Sequence, residues 1–311
     1  GVQPIGGRLQ RGPGARELPQ LTAGGGGPET KRLAVLGHPV SHSRSPAMQS
    51  GALEALGLSG EWSYGAIDLD PAEFEERVRA LPWEGYVGVN VTIPHKEAAL
   101  RAADEASDAA HQIGAANTLS FREDRIRADN TDATGLLATL PETLEGRAAL
   151  VLGAGGSARA AAWALAGKGA SVSVWNRTAT RGDELVRDLA GTGVGTVAEG
   201  RLAAISADRA RTGSFELIVN CSAIGMEDED PFEHLPVDPD RLGAGVTVVD
   251  LVYADSESRL VAEARFRGAR TIDGLEILVR QGAESLRLWT GMDPPLDAMR
   301  EAARRGSETD G

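Results

Sequence analysis

An α/β fold of two units, the second of Rossmann type, is predicted from three observations. Short apolar runs alternate with helical stretches from Lys31 onward. A glycine-rich turn, Gly153–Ala158, joins one of those runs to a helix midway, and an amphipathic stretch, Gly274–Thr290, closes the pattern. Such alternation indicates mainly parallel sheets, because parallel strands need a crossover segment between them.

Taking the elements in order, residues 1–30 hold nine Gly and four Pro with almost no apolar periodicity, so they read as a disordered leader. Leu33-Ala34-Val35-Leu36, stopped by Gly37 and Pro39, has the pattern of a buried strand. Further strands are expected at Trp62–Ile67, Tyr86–Val91, Asn117–Phe121, Ala148–Leu152, Ser171–Trp175, Phe215–Asn220 and Val246–Asp250. Helices are expected at Pro46–Leu56, Ala72–Ala80, Ala158–Gly167 and Arg181–Leu189. A seam near Asn130–Gly135 marks the boundary between the units. The last helix carries Leu275, Leu278, Val279, Leu286 and Trp289 on one stripe, with Gln281 at its edge, and is suited to pack back on the first unit.

Composition narrows the function. The 311-residue chain is 41% hydrophobic and 25% charged, ordinary for a folded globular protein. Its net charge of -13 disfavours phosphate backbones and anionic lipid as partners. No apolar run reaches the roughly 18 residues of a membrane span. The single cysteine, Cys221, forms neither an internal disulfide nor a thiolate cluster, and it reads as a small strand-end residue in a reducing compartment. A cytoplasmic monomer or homodimer acting on a small molecule, with no nucleic-acid or membrane partner, is expected.

Gly153-Ala154-Gly155-Gly156-Ser157-Ala158 follows the strand Ala148–Leu152 and opens a helix. In that context GxGxxA is a phosphate-binding turn: Gly153 allows the tight bend, Gly155 lets the backbone approach a pyrophosphate, and small Ala158 permits close helix–strand packing. The next strand ends in Asn176-Arg177-Thr178, where an NAD-binding unit usually places an acid for the ribose 2′-hydroxyl. Arg177, with Arg181 four residues on, suits a 2′-phosphate instead, so NADP(H) is the expected cofactor. In Asn90-Val91-Thr92-Ile93-Pro94-His95-Lys96, Thr92 and Lys96 follow a strand end, where α/β sheets bind ligands, and Asp132 beyond the seam is placed to pair with Lys96 as an acid–base dyad. In Gly37–Pro46, the hydroxyls of Ser43 and Ser45 suit either a helix cap or a carboxylate clasp. His38 and His42 are separated by Pro39 and have no neighbouring carboxylate in the sequence, so no metal is expected.

Together these segments resemble the shikimate dehydrogenase family from about residue 32 to residue 291. The motifs in order are GHPVSHSRSP (Gly37–Pro46), NVTIPHK (Asn90–Lys96), GAANTL (Gly114–Leu119), NTDATG (Asn130–Gly135), GAGGSARA (Gly153–Ala160), NRTATR (Asn176–Arg181) and VRQGAESLRLWTG (Val279–Gly291). The resemblance implies reversible NADPH-dependent reduction of 3-dehydroshikimate to shikimate, on the route to chorismate and the aromatic amino acids. It also implies a substrate-binding catalytic domain at 31–131, an NADP-binding Rossmann domain at 132–273, and C-terminal helices at 274–311 packing on the substrate domain. Ser43 and Ser45 would bind the substrate carboxylate. Thr92, Asn117, Gln281 and Tyr253 would join catalytic Lys96 and Asp132 around the ring, and Asn220, Gly225 and Gly274 would lie beside the cofactor. Quinate or quinate/shikimate dehydrogenation and a non-catalytic NADP(H)- or metabolite-sensing module are the competing readings. The chain departs from the family at Gln49-Ser50, commonly His-Asn, and at Asp255 and Ser258, commonly Pro and Thr.

Overall fold

The computed structural model describes residues 30–122, 125–192, 201–226, 229–253 and 257–305. The leader, apart from Thr30, and the substitution at Asp255 lie outside the described residues. The first sheet contains β1 (Lys31–Gly37), β2 (Trp62–Asp68), β3 (Tyr86–Val91), β4 (Glu105–Ala106), β5 (Thr118–Arg122) and β6 (Arg125–Asp129) in the order β2-β1-β3-β5-β6-β4. The second contains β7 (Ala148–Leu152), β8 (Ser171–Trp175), β9 (Leu202–Ala204), β10 (Leu217–Asn220), β11 (Thr247–Asp250) and β12 (Arg270–Ile272) in the order β12-β11-β10-β7-β8-β9.

The helices are α1 (Ser45–Ala55), α2 (Phe74–Ala80), α3 (Lys96–Ala102), α4 (Asp108–Ile113), α5 (Thr131–Leu137) and α6 (Gly156–Gly167), then α7 (Ala179–Gly191), α8 (Ala207–Thr212), α9 (Pro231–His234), α10 (Arg259–Phe266), α11 (Gly274–Thr290) and α12 (Leu296–Arg305). No described helix is long and apolar enough to cross a membrane.

The second sheet pairs in parallel throughout. The first is also mainly parallel, in its β1–β2, β1–β3 and β4–β6 pairings, with one reversed strand, β5, that runs antiparallel to both β3 and β6. The sequence reading passed over β6. Its Arg125-Ile126-Arg127-Ala128 alternates exposed and buried positions, the period-2 signal of a half-buried strand, but only across a few residues.

In both sheets the chain order reverses once beside the central strands, between β1 and β3 in the first and between β7 and β10 in the second. Open α/β sheets bind ligands at the carboxyl ends of strands at such switch points. Around β1, α1, α11 and α12 the core includes Leu33, Val35, Met48, Val279, Leu286, Trp289 and Met299. The last two helices therefore return to the first sheet because the apolar stripe of α11 is buried there. Asp273 caps α11 by accepting from Glu276 N at 2.9 Å. Helix α5 leads from β6 towards β7 and packs against both α6 and α11. A Cβ at Gly135 would stand 2.8 Å from Gln281 N, so only glycine lets α5 and α11 approach this closely.

Each expected helix starts within two residues of its predicted position, and two of the starts bear on the site. Ser45 is the first residue of α1 rather than its cap; the capping position is Arg44, and no side chain caps this helix. The Ser43 hydroxyl instead accepts from Ser45 N at 3.3 Å, leaving the Ser45 hydroxyl for other use. Helix α6 starts at Gly156, inside the glycine turn, because the backbone is already helical where the turn ends.

Candidate active site

A cavity of about 140 Å³ lies between the two sheets, and every residue expected around the substrate lines it: Ser43, Ser45, Thr92, Lys96, Asn117, Asp132, Tyr253 and Gln281. Ser43 and Ser45 come from the loop after β1 and the start of α1. Thr92 and Lys96 come from the segment after β3, which is tied to β1 by Thr92 N donating to Leu36 O at 2.8 Å.

The amine and carboxylate meet. Lys96 Nζ donates to Asp132 Oδ2 at 2.5 Å, and each side chain is only 11% exposed. Asn117 Nδ2 reaches Asp132 Oδ1 at 2.9 Å, Thr131 Oγ1 at 2.9 Å and Gln281 Oε1 at 3.0 Å. Its Oδ1 accepts from Thr131 N at 2.7 Å, which fixes the start of α5 and with it Asp132. Buried polar atoms need such partners, and here the partners also set the direction of the carboxylate.

A second buried layer supports this one, and the sequence reading did not assign it. Asn90 Oδ1 accepts from the Tyr64 hydroxyl at 2.7 Å, and Asn90 Nδ2 donates to Ser285 Oγ at 2.8 Å. Ser285 also lies 2.8 Å from Thr118 Oγ1. Its position four residues after Gln281 on α11 was a legible signal, since i and i+4 share a helix face. No spacing signal pointed to Tyr64, which arrives by strand pairing. Its hydroxyl also hydrogen-bonds with Ser45, and burial holds its pKa well above the usual phenol value. Burial likewise raises Tyr253, partly offset by a hydrogen bond with Ser43.

On the opposite wall, the turn Gly153, Ala154, Gly155, Gly156, Ser157, Ala158 occupies the carboxyl end of β7 at the switch point. Gly153 has φ +115°, and a Cβ there would lie 3.2 Å from the Cys221 backbone, so both the conformation and the space demand glycine. The fit to a dinucleotide phosphate is good: no side chain caps the amides that open α6, and the space beside Gly155 is open. Asn176, Arg177 and Thr178 link β8 to α7, and Arg181 stands in the first turn of α7. Arg177 and Arg181 are exposed, and neither forms an ion pair among the described residues.

The side chain of Asn220 bonds within the protein. It is fully buried, donating to Asp250 Oδ1 at 2.9 Å and Ile224 O at 3.2 Å while accepting from Ser222 Oγ at 2.7 Å. It shapes the loop carrying Gly225 rather than presenting its side chain. Burial raises the pKa of Asp250, offset by hydrogen bonds from Ser258, Val252 and Asn220. Ser258 donates to Asp250 Oδ2 at 2.7 Å and caps α10, so the departure from threonine keeps a working hydroxyl. Gly274 lines the cavity at the start of α11. Cys221, Ser222, Ile93 and Met226 also line it, and sequence reading assigned none of them to the site. Burial pushes the Cys221 thiol pKa up, with the Asp132 charge adding to the effect, which disfavours the reactive thiolate.

Gln49, the other departure from the family, is buried on α1 and donates to Gly282 O on α11 at 2.9 Å, while its Oε1 has no partner. Its effect is on helix packing. His38 meets a carboxylate that the local sequence did not reveal: Asp68, at the end of β2, lies 2.6 Å from Nδ1, and this hydrogen bond holds the Asp68 pKa down.

His95, immediately before Lys96, is buried, stacks on Phe74 at 4.6 Å and bonds through Nε2 to Leu69 O at 2.7 Å. Burial lowers its pKa, against smaller opposing effects of the Leu69 carbonyl, Asp68 and Asp70. The unfolded chain therefore takes up a proton first as pH falls below about 6.5, and folding stability is lost from there until the folded-state pKa is passed. Urea unfolding at stepped pH is expected to show this decline, with a shallower slope in His95→Gln; an unchanged slope would remove His95 as its source.

Three family profiles match the chain: the shikimate dehydrogenase substrate binding domain at residues 35–119, shikimate / quinate 5-dehydrogenase at 136–208, and the shikimate 5'-dehydrogenase C-terminal domain at 274–304. The chain is 42% identical over 276 residues to the shikimate dehydrogenase (NADP(+)) of Symbiobacterium thermophilum, covering 87% of this chain and 92% of that one. Among solved structures, it is similar to shikimate 5-dehydrogenase from Thermus thermophilus in complex with NADP(H) and shikimate, with TM-score 0.76, 40% identity, and coverage of 89% and 100%. The fold also resembles 5-ketofructose reductase of a Gluconobacter strain, with TM-score 0.75, 26% identity, and coverage of 90% and 99%.

Proposed function

The chain belongs to the shikimate dehydrogenase family, and from that premise we propose that it catalyses the reversible NADPH-dependent reduction of 3-dehydroshikimate to shikimate, a step towards chorismate and the aromatic amino acids. The observation that carries this reading is the contact of Lys96 Nζ with Asp132 Oδ2 at 2.5 Å, in a cavity with a hydroxyl clasp on one wall and an uncapped glycine turn on the other.

Ser43, Ser45 and the Tyr253 hydroxyl hold the substrate carboxylate. Thr92, Asn117 and Gln281 pair with the ring hydroxyls, which would otherwise be buried without partners. Gly153–Ala158 would hold the phosphates of NADP(H), with Arg177 and Arg181 at its 2′-phosphate, and the bound cofactor would supply or accept the hydride. Lys96 donates to the substrate oxygen on which negative charge grows during reduction, and Asp132 holds the amine on target. In the oxidative direction the same pair receives the hydroxyl proton. Asn117 and Thr131 keep Asp132 from swinging away, so the geometry exists before substrate arrives.

The 5-ketofructose reductase likeness is a reminder that the scaffold alone does not choose the substrate. Initial rates with shikimate and with quinate, each paired with NADP+ and with NAD+, test the reading. Shikimate with NADP+ is expected to give the highest kcat/KM of the four pairs. A preference for quinate would move the chain to the quinate branch of the family, and no turnover with any pair would favour a sensing module.

A further inference from the structure

Lys96 and Ser157 lie 61 residues apart, one opening α3 beside the first sheet and the other in the first turn of α6 beside the second, yet Lys96 Nζ donates to Ser157 Oγ at 2.9 Å. The contact depends on the neighbouring glycine. A Cβ at Gly156 would come within 2.7 Å of Lys96 Cβ, so the phosphate-binding turn rests directly on the lysine only because that side chain is missing.

An ammonium has three N–H groups. With one committed to Asp132 and another to Ser157, a single direction remains for a substrate oxygen. The Ser157 hydroxyl accepts from Lys96, and among the described residues nothing takes its own proton. That proton sits on a turn whose helix amides are also without a side-chain cap.

We propose that Ser157 is a positioning residue that couples the two ligand sites of this enzyme: its hydroxyl accepts from Lys96 while donating to an anion on the glycine turn. This rests on the functional reading above, in which the turn takes the phosphates of NADP(H) and Lys96 serves shikimate. A hydroxyl that donates to an anion becomes a better acceptor, so its hold on Lys96 tightens when the turn is filled. The remaining N–H of the lysine is then better directed at the substrate. By linkage the benefit is mutual: each ligand binds more tightly in the presence of the other.

The test is the dissociation constant of shikimate, measured by titration calorimetry with and without saturating NADPH, a pair that cannot react because both partners are reduced, in the wild-type protein, Ser157→Ala and Ser157→Thr. In the wild type NADPH is expected to tighten shikimate by about fivefold or more, within the usual range of such couplings. In Ser157→Ala the ratio should fall to within about twofold of unity, the scale at which no coupling remains. NADPH alone should still bind Ser157→Ala, which shows that the turn is intact, and Ser157→Thr, which keeps the hydroxyl, should restore the coupling. Full coupling in Ser157→Ala, or none in the wild type, overturns the proposal while leaving the functional reading in place. Failure of shikimate to bind the wild-type protein at all overturns that reading and the proposal with it.

Discussion

Replacing Lys96 with alanine lowers kcat by about 10²-fold or more, the scale expected for removing a general acid–base group, equivalent to about 2.7 kcal/mol or more of barrier. The expectation follows from position. Lys96 is the amine that lines the cavity, it is held at 2.5 Å by Asp132, and its surroundings leave it only 11% exposed. The variant removes the donor to the developing oxyanion and also leaves Asp132 facing the substrate without its counterion. Cofactor affinity should change little, because among the described residues the one polar contact of Lys96 with the glycine turn is through Ser157. Groups acting as a unit are not additive, so Lys96→Ala combined with Asp132→Asn should fall little further than the worse single variant. Steady-state rates with NADP+ titrated separately provide the check. An unaltered turnover number would remove Lys96 from the mechanism.

The second large effect concerns the cofactor. Arg177→Asp is expected to weaken NADP+ binding by about 30-fold or more, since a charge-assisted hydrogen bond is lost and a like charge takes its place. NAD+ should be affected far less, because a carboxylate at that position suits a free ribose 2′-hydroxyl. Arg177 is exposed after β8, where no acid stands and no ion pair among the described residues occupies the guanidinium. Titration of both cofactors into wild type and variant, without substrate, separates binding from turnover. Equal weakening of both cofactors would contradict the 2′-phosphate assignment.

The polar residues around the ring were readable to different degrees. Lys96, Thr92 and the glycine turn were legible because a strand end or a strand–turn–helix order gives each a local context. Asn117, Tyr253 and Gln281 entered only through resemblance, for a lone amide or phenol carries no spacing that marks it as a ligand. The layer beneath them was not assigned: Tyr64 and Asn90 come from the strands on either side of β1, and Ser285 from a helix far along the chain. The Ser45 hydroxyl was ambiguous between helix cap and clasp. The backbone at Arg44 decided against the cap, since it is already helical and leaves no capping geometry.

The sequence by itself determined the strand–helix alternation and the glycine turn between β7 and α6, and it pointed to Arg177 as the proposed 2′-phosphate partner, because each depends on residues within a few positions of one another. The sequence anticipated that the amine after β3 would meet the carboxylate of α5, whereas tertiary structure alone decided how Asn117 and Gln281 converge on that pair and that Ser157 reaches across to it. The reason is that these contacts join chain segments through close approaches made possible by missing side chains, at Gly135 against Gln281 and at Gly156 against Lys96. A glycine in a sequence states that space is available, and only the packed fold shows what fills it.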